Sequence, residues 1–81
     1  MQLTLTREHQ KKAGYYTDSA NCIIATALKS RFPKTKTIRV GGDELTLGRK
    51  RYTIRPALLI PRLSQDASML PYTIELIEKK S

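Results

Sequence analysis

The sequence predicts a small single α+β domain, with one antiparallel or mixed sheet that contains a three-stranded meander and has helices on one face. Apolar residues recur at a helical period from Cys22 to Phe32, and from Thr37 onward the period changes to that of half-buried strands. The 81 residues are 40% hydrophobic and 27% charged, which suits one compact domain over residues 1–81. The predicted order of elements is β-α-α-β-β-β-α-β.

The first residues predict a strand followed by a short helix. Leu3 and Leu5 alternate with threonines, which indicates a half-buried strand. Thr6 is a favourable N-cap for a helix that runs to Ala13, and Gly14 would end it in the left-handed conformation.

The principal helix is predicted from about Cys22 to Phe32. Asn21, or Ser19 or Asp18 before it, would supply the N-cap, and Pro33 would stop the helix.

Two tight loops are predicted to define the meander. Gly41-Gly42 suits a two-residue hairpin loop because glycine tolerates positive φ, and Arg49-Lys50 is a plausible second loop. With these loops, Arg39, Glu44 and Arg55 would face one another in a row across the outward face of three strands.

The remaining chain predicts a short helix and a final strand. Pro56 ends the third meander strand, and the apolar pattern indicates a helix over 58–66 that Pro61 limits to a late start or a kink. A strand then runs from Tyr72 to Ile77, and residues 79–81 are expected to form a frayed tail.

Several classes of protein are disfavoured by composition. The longest apolar run, residues 57–60, is far too short for a membrane span, and the N-terminus lacks the pattern of a secretory signal. The single cysteine, Cys22, cannot form an internal disulfide. We therefore expect a cytoplasmic protein that has no membrane partner.

The excess positive charge is concentrated in residues 29–55. This segment, the end of the principal helix and the meander, carries nine basic and two acidic residues, a net charge of +7 within a total of +8. Its basic residues are Lys29, Arg31, Lys34, Lys36, Arg39, Arg49, Lys50, Arg51 and Arg55.

Such a charge concentration indicates an anion-binding surface, although a solvated sheet face is the alternative explanation. Phosphates are the commonest polyanionic partners. Tyr15 and Tyr16 are candidate exposed stacking residues, and Asn21 lies where a helix N-terminus would meet a nucleotide. Both a small nucleotide and a nucleic acid fit these features, and the few exposed aromatic residues argue mildly against single-strand binding folds.

Catalytic residues are not indicated. His9 has no nameable acid–base partner, and Cys22 is better explained as a small buried residue at a helix start than as a nucleophile. Asp43 and Glu44 are adjacent on a strand and point to opposite faces, so they do not form a carboxylate pair. We expect neither an enzyme nor a cofactor or metal site.

Five short sequence motifs follow one another along most of the chain. They are residues 7–10 (REHQ), 13–14 (AG), 18–28 (DSANCIIATAL), 51–54 (RYTI) with Asp66 downstream, and 71–74 (PYTI). In this order the chain resembles a group of small uncharacterised proteins common in bacteriophage genomes, which share an "EHI…A" helix and a "D…CPIAxAL" helix start. Ile23 stands where that group has proline.

The resemblance implies a phage accessory protein acting in the host cytoplasm, and many such proteins act against host defence. Combined with the basic segment, it favours a protein that sequesters a nucleotide immune signal. The alternatives are a nucleic-acid-binding protein that uses the same basic meander and an inhibitor that contacts a host defence protein directly. A thin core and an exposed edge strand also make a homodimer reasonable.

Overall fold

Five strands form a single antiparallel sheet in the order β1-β5-β4-β3-β2, in a computed structural model that describes residues 1–15 and 18–79. The element order is the predicted one, and the mixed α+β class is confirmed. In chain order the elements are β1 Gln2–Leu5, α1 Arg7–Lys12, α2 Ile23–Arg31, β2 Ile38–Gly41, β3 Glu44–Leu47, β4 Lys50–Arg55, α3 Ile60–Gln65 and β5 Tyr72–Glu78, with 3₁₀ turns at Ala57–Leu59 and Ala67–Met69.

The core lies between the inner face of the sheet and α2. Helix α2 packs against β1 and β2, the two outer strands, so the sheet curls around it. Ile24 and Leu28 of the helix are completely buried, and they share one core with Leu5, Ile54 and other inward residues of the strands. Burying each such side chain stabilises the fold by about 1.5–3 kcal/mol.

The meander has the predicted inward and outward alternation but different turns. Its loops are Gly42-Asp43 and Gly48-Arg49, because Gly41 pairs with Glu44 and Leu47 pairs with Lys50. Gly42 and Gly48 have φ values of +57° and +65°, and no residue other than glycine has a positive φ among those described. A positive φ at only the first loop residue is the pattern of a type II′ turn, which places glycine first.

The predicted row of Arg39, Glu44 and Arg55 is therefore wrong. Arg39 pairs with Thr46 instead of Glu44, and Arg55 pairs with Glu75 of β5. When a two-residue loop moves by one position along the chain, each strand residue pairs with a residue two positions away from its predicted partner. Every side chain consequently keeps its predicted face while it meets a different neighbour.

Helix α1 is capped as predicted at its start but not at its end. The Thr6 hydroxyl accepts from the His9 amide at 3.2 Å, and the Thr6 amide donates to His9 Nδ1 at 3.2 Å. Ala13 is the C-cap in an extended conformation, so the predicted left-handed terminator at Gly14 is wrong. The Gly14 amide instead donates to the Asn21 carbonyl at 2.6 Å.

The N-cap of α2 is Cys22, and the prediction of Asn21, Ser19 or Asp18 is wrong. The Cys22 thiol accepts from the Ala25 amide at 3.5 Å. The side chain of Asp18 is already used in the preceding turn, where it accepts from the Ala20 amide and the Asn21 side chain, each at 3.0 Å. This local turn competes for the polar side chains that would otherwise cap the helix.

Both edge strands of the sheet are held by hydrogen bonds, β2 to the turn that precedes α2 and β1 to the last residue of α2. On β2, the Val40 amide donates to the Ser19 carbonyl at 2.8 Å. On β1, the Arg31 guanidinium donates to the Gln2 carbonyl at 2.5 Å and lies 5.4 Å from the centre of the Phe32 ring. These contacts secure the curl of the sheet around the helix.

The last strand extends further than predicted. The Lys79 amide donates to the Arg51 carbonyl at 2.8 Å, and the Lys79 ammonium forms an ion pair with Glu44. Lys79 therefore does not belong to a frayed tail. Residues 80 and 81, the rest of that predicted tail, lie outside the described residues.

Candidate anion-binding site

Three cationic side chains line one small pocket beside the edge of β2. The pocket has a volume of about 290 Å³ and is bordered by Lys29, Lys36 and Arg39, which we call the basic pocket. Thr35 and Thr37 also line it. No carboxylate lines it among the described residues, and Asp18, outside the lining, lies close enough to Lys29 to interact with its charge.

Lys29 is a fixed charge in this wall. Its ammonium donates to the Ala20 carbonyl at 2.6 Å and lies 3.4 Å from the Asn21 side-chain oxygen. An ammonium carries three donors, so one remains available for a ligand. The nearby Asp18 carboxyl has a lowered pKa, chiefly because the Asn21 side chain donates a hydrogen bond to it.

Lys36 and Arg39 carry charge that no described acid neutralises. Lys36 lies in the connection between α2 and β2, and Arg39 projects from the outward face of β2. Within residues 1–15 and 18–79, neither side chain forms an ion pair. Because both are exposed, an anion can approach them from solvent.

A pair of arginines extends this charge across the outer face of the sheet. Arg39, Thr46 and Arg51 are aligned in register on β2, β3 and β4, and we call them the outer row. Glu44 lies beside this row, but Lys79 pairs with it and lowers the pKa of its carboxyl by donating a hydrogen bond. Arg39 thus belongs to both the basic pocket and the outer row.

The other basic residues of the meander are dispersed. Arg49 lies at the tip of the second hairpin, while Lys50 points to the face opposite Arg51 and lies 3.9 Å from Glu78. Arg55 is paired in register with Glu75. Lys50 and Arg51, which are adjacent in the sequence, therefore lie on opposite faces of the sheet.

The basic residues at and after the end of α2, which are Lys29, Arg31, Lys34 and Lys36, are divided in the same way. The Arg31 guanidinium donates a hydrogen bond to the Gln2 carbonyl at the edge of β1, and Lys34 is exposed in the connection that follows α2. Of these four basic residues, Lys29 and Lys36 are the two that border the basic pocket.

The predicted nucleotide pocket near the start of α2 is only partly described. Tyr15 is 84% exposed, and Tyr16 lies outside the described residues. Asn21 is exposed, but its side-chain nitrogen donates to Asp18 and its side-chain oxygen accepts from Lys29. Since Cys22 and the first turn of α2 are buried, a ligand here would meet the exposed side chains and not the helix terminus.

The two threonines that line the basic pocket were not among the predicted site residues. Thr35 and Thr37 flank Lys36 in the chain, so a Thr-Lys-Thr triplet was the available signal. The sequence does not show that Lys29, which lies on α2, reaches the same wall through its contact with the Ala20 carbonyl.

Other reactive groups have structural roles. The Cys22 thiol is buried, and burial raises its pKa, so it is a neutral thiol near neutral pH. His9 Nδ1 accepts a hydrogen bond from the Thr6 amide in the capping box of α1. Across residues 1–15 and 18–79, no three His, Cys, Asp or Glu side chains cluster as metal ligands would.

No helix in the described part of the chain combines the length and apolar character needed to cross a bilayer. No protein-family model, curated protein or solved structure matches the chain. The resemblance to bacteriophage accessory proteins therefore stays a prediction, and function is inferred from the residues of the basic pocket and the outer row.

Proposed function

We propose that this protein binds a phosphate-bearing ligand, without converting it chemically, through the basic pocket and the outer row. The observation that supports this most directly is the convergence of Lys29, Lys36 and Arg39 on one pocket that no described carboxylate lines. Bringing three like charges together is unfavourable without an anion, so the arrangement favours an anionic ligand over a purely solvated surface.

Phosphate suits these side chains better than other common anions. A guanidinium such as that of Arg39 presents a planar fork that matches two phosphate oxygens, while the two ammonium groups act as point charges. The hydroxyls of Thr35 and Thr37 can donate to further oxygens.

A nucleic-acid strand is the ligand that this surface fits best. Arg51 extends the charge of the basic pocket across two neighbouring strands, a distance of about 10 Å at ordinary strand spacing. An extended, solvent-accessible track of cations suits a polyanion because it can contact successive phosphates.

Sequestration of a small nucleotide is the second candidate. The volume of the basic pocket, about 290 Å³, is near the lower end for small-molecule sites. The resemblance to phage proteins would make such a ligand a nucleotide immune signal of the host.

Direct inhibition of a host protein is a third candidate, and a different surface favours it. An apolar groove of about 640 Å³ lies between the first meander hairpin and the start of α3, and Leu58 beside it is 92% exposed. An exposed apolar patch of this kind is a common feature of protein-binding surfaces.

Binding to labelled single-stranded and duplex oligonucleotides, measured by fluorescence anisotropy over a salt series, tests the leading proposal. We expect Arg39→Ala to weaken binding by about tenfold, or about 1.4 kcal/mol, and to reduce the salt slope by about 1. Arg62→Ala removes the same charge from an exposed position on α3 and should have little effect.

Equal losses in the two variants would mean that net charge alone drives binding, which would contradict the proposed site. Calorimetric titration with a panel of nucleotides covers the second candidate. Binding to a nucleotide with no measurable binding to either oligonucleotide would favour sequestration over strand binding.

A further inference from the structure

The basic pocket differs from the outer row in shape. Arg39, Thr46 and Arg51 border a shallow depression of about 260 Å³ that Glu44 also lines, whereas Lys29, Lys36 and Arg39 border a more enclosed concavity of about 290 Å³ that no described carboxylate lines. A concavity of this size can admit one phosphate group.

The number of cations also suits a particular kind of phosphate. A terminal phosphate monoester carries a charge of about −1.5 to −2 near neutral pH, and it presents three unsubstituted oxygens. An internal diester carries a single negative charge and is linked to chain on both sides. Three converging cations therefore stabilise the monoester more than the diester.

The donors around the pocket match these oxygens. Lys29 is held by the Ala20 carbonyl and retains an unused proton, and Arg39 offers the guanidinium fork. Lys36 and its chain neighbours Thr35 and Thr37 line the same pocket.

We infer that the basic pocket formed by Lys29, Lys36 and Arg39 binds a terminal phosphate monoester, either at the end of a nucleic-acid strand or on a free mononucleotide. This inference rests on the proposed function, because it assigns the ligand chemistry of that same site. The outer row then contacts internal phosphates of a strand whose end occupies the pocket.

The test compares three ligands with the full chain: an oligonucleotide with a 5′-phosphate, the same oligonucleotide with a 5′-hydroxyl, and AMP. We expect the phosphorylated strand to bind roughly fivefold more tightly than the hydroxyl form, or better, since the extra charge meets three cations. Lys36→Gln and Arg39→Gln should each remove this difference in affinity. Arg51→Gln should weaken the binding of both strands and preserve the difference between them.

Each substituted side chain is exposed, and circular dichroism would verify that the variants fold. Equal affinity for the two strands would overturn the inference while leaving the proposed function intact. Binding of AMP and neither strand would support the monoester site and overturn strand binding, and binding of none of the three would overturn both.

Discussion

At the scale of single residues, glycine positions decide which side chains face one another in the meander. Gly42 and Gly48 adopt positive φ, while Gly41 does not. The sequence alone could not choose between Gly41-Gly42 and Gly42-Asp43, because glycine occupies the first loop position in either arrangement.

Substitution of these adjacent glycines tests the observed turn. We expect Gly42→Ala to destabilise the fold by about 1–2 kcal/mol, because an alanine side chain disfavours the left-handed region. Gly41→Ala is the matched control, since an added Cβ meets nothing within 4 Å at either position. Urea denaturation gives both values, and an equal cost at the two positions would contradict the Gly42-Asp43 turn.

At the scale of elements, Arg31 shows that a basic residue within a charged segment can join two elements of the fold. The sequence predicts it as part of an anion site, but its guanidinium joins the end of α2 to the edge of β1. Backbone carbonyls compete for such side chains, and a sequence does not show which of them come within reach. Lys29 contacts the Ala20 carbonyl in the same manner and still borders the basic pocket.

We expect Arg31→Ala to lower the free energy of unfolding by about 1 kcal/mol, because it removes one hydrogen bond and the packing on Phe32. Phosphate binding should change less than in the Arg39 variant. Lys34→Ala, an exposed neighbour in the following connection, is the control for loss of charge. A variant that retains full stability but loses binding would contradict a structural role for Arg31.

The elements themselves were largely predictable, because each depends on local periodicity. The alternation of Leu3 and Leu5 and the helical spacing up to Leu28 predicted the correct buried face in each case. The basic pocket was not predictable as a unit. Its members come from α2, the following connection and β2, and the fold alone brings them together.

At the scale of the whole molecule, the shifted pKa values define a pH range of stability. Asp18 and Asp66 have lowered pKa values because side chains and amides donate hydrogen bonds to them. Their stabilising contribution is present above the ordinary carboxyl pKa and is lost as the pH falls through the lowered value. The raised pKa of Cys22 acts at alkaline pH. Because the thiol ionises at a lower pH in the unfolded chain than in the folded protein, stability falls as the pH rises above the unfolded pKa.

We therefore expect the melting temperature to be highest near neutral pH and to fall towards both acid and alkaline pH. Asp18→Asn should flatten the acid side of the profile, since an amide does not titrate. Thermal denaturation across the pH range measures this. An unchanged acid side in the variant would show that Asp18 contributes nothing to the pH dependence.

The hydrogen bond between Val40 and Ser19 has a consequence for assembly. It occupies a backbone donor on the outer side of β2, where a strand from another chain would otherwise add to the sheet. The same bond joins β2 to the turn whose Ala20 carbonyl holds Lys29. Strand addition at this edge would have to displace this bond, and with it a direct link between β2 and the turn that holds Lys29.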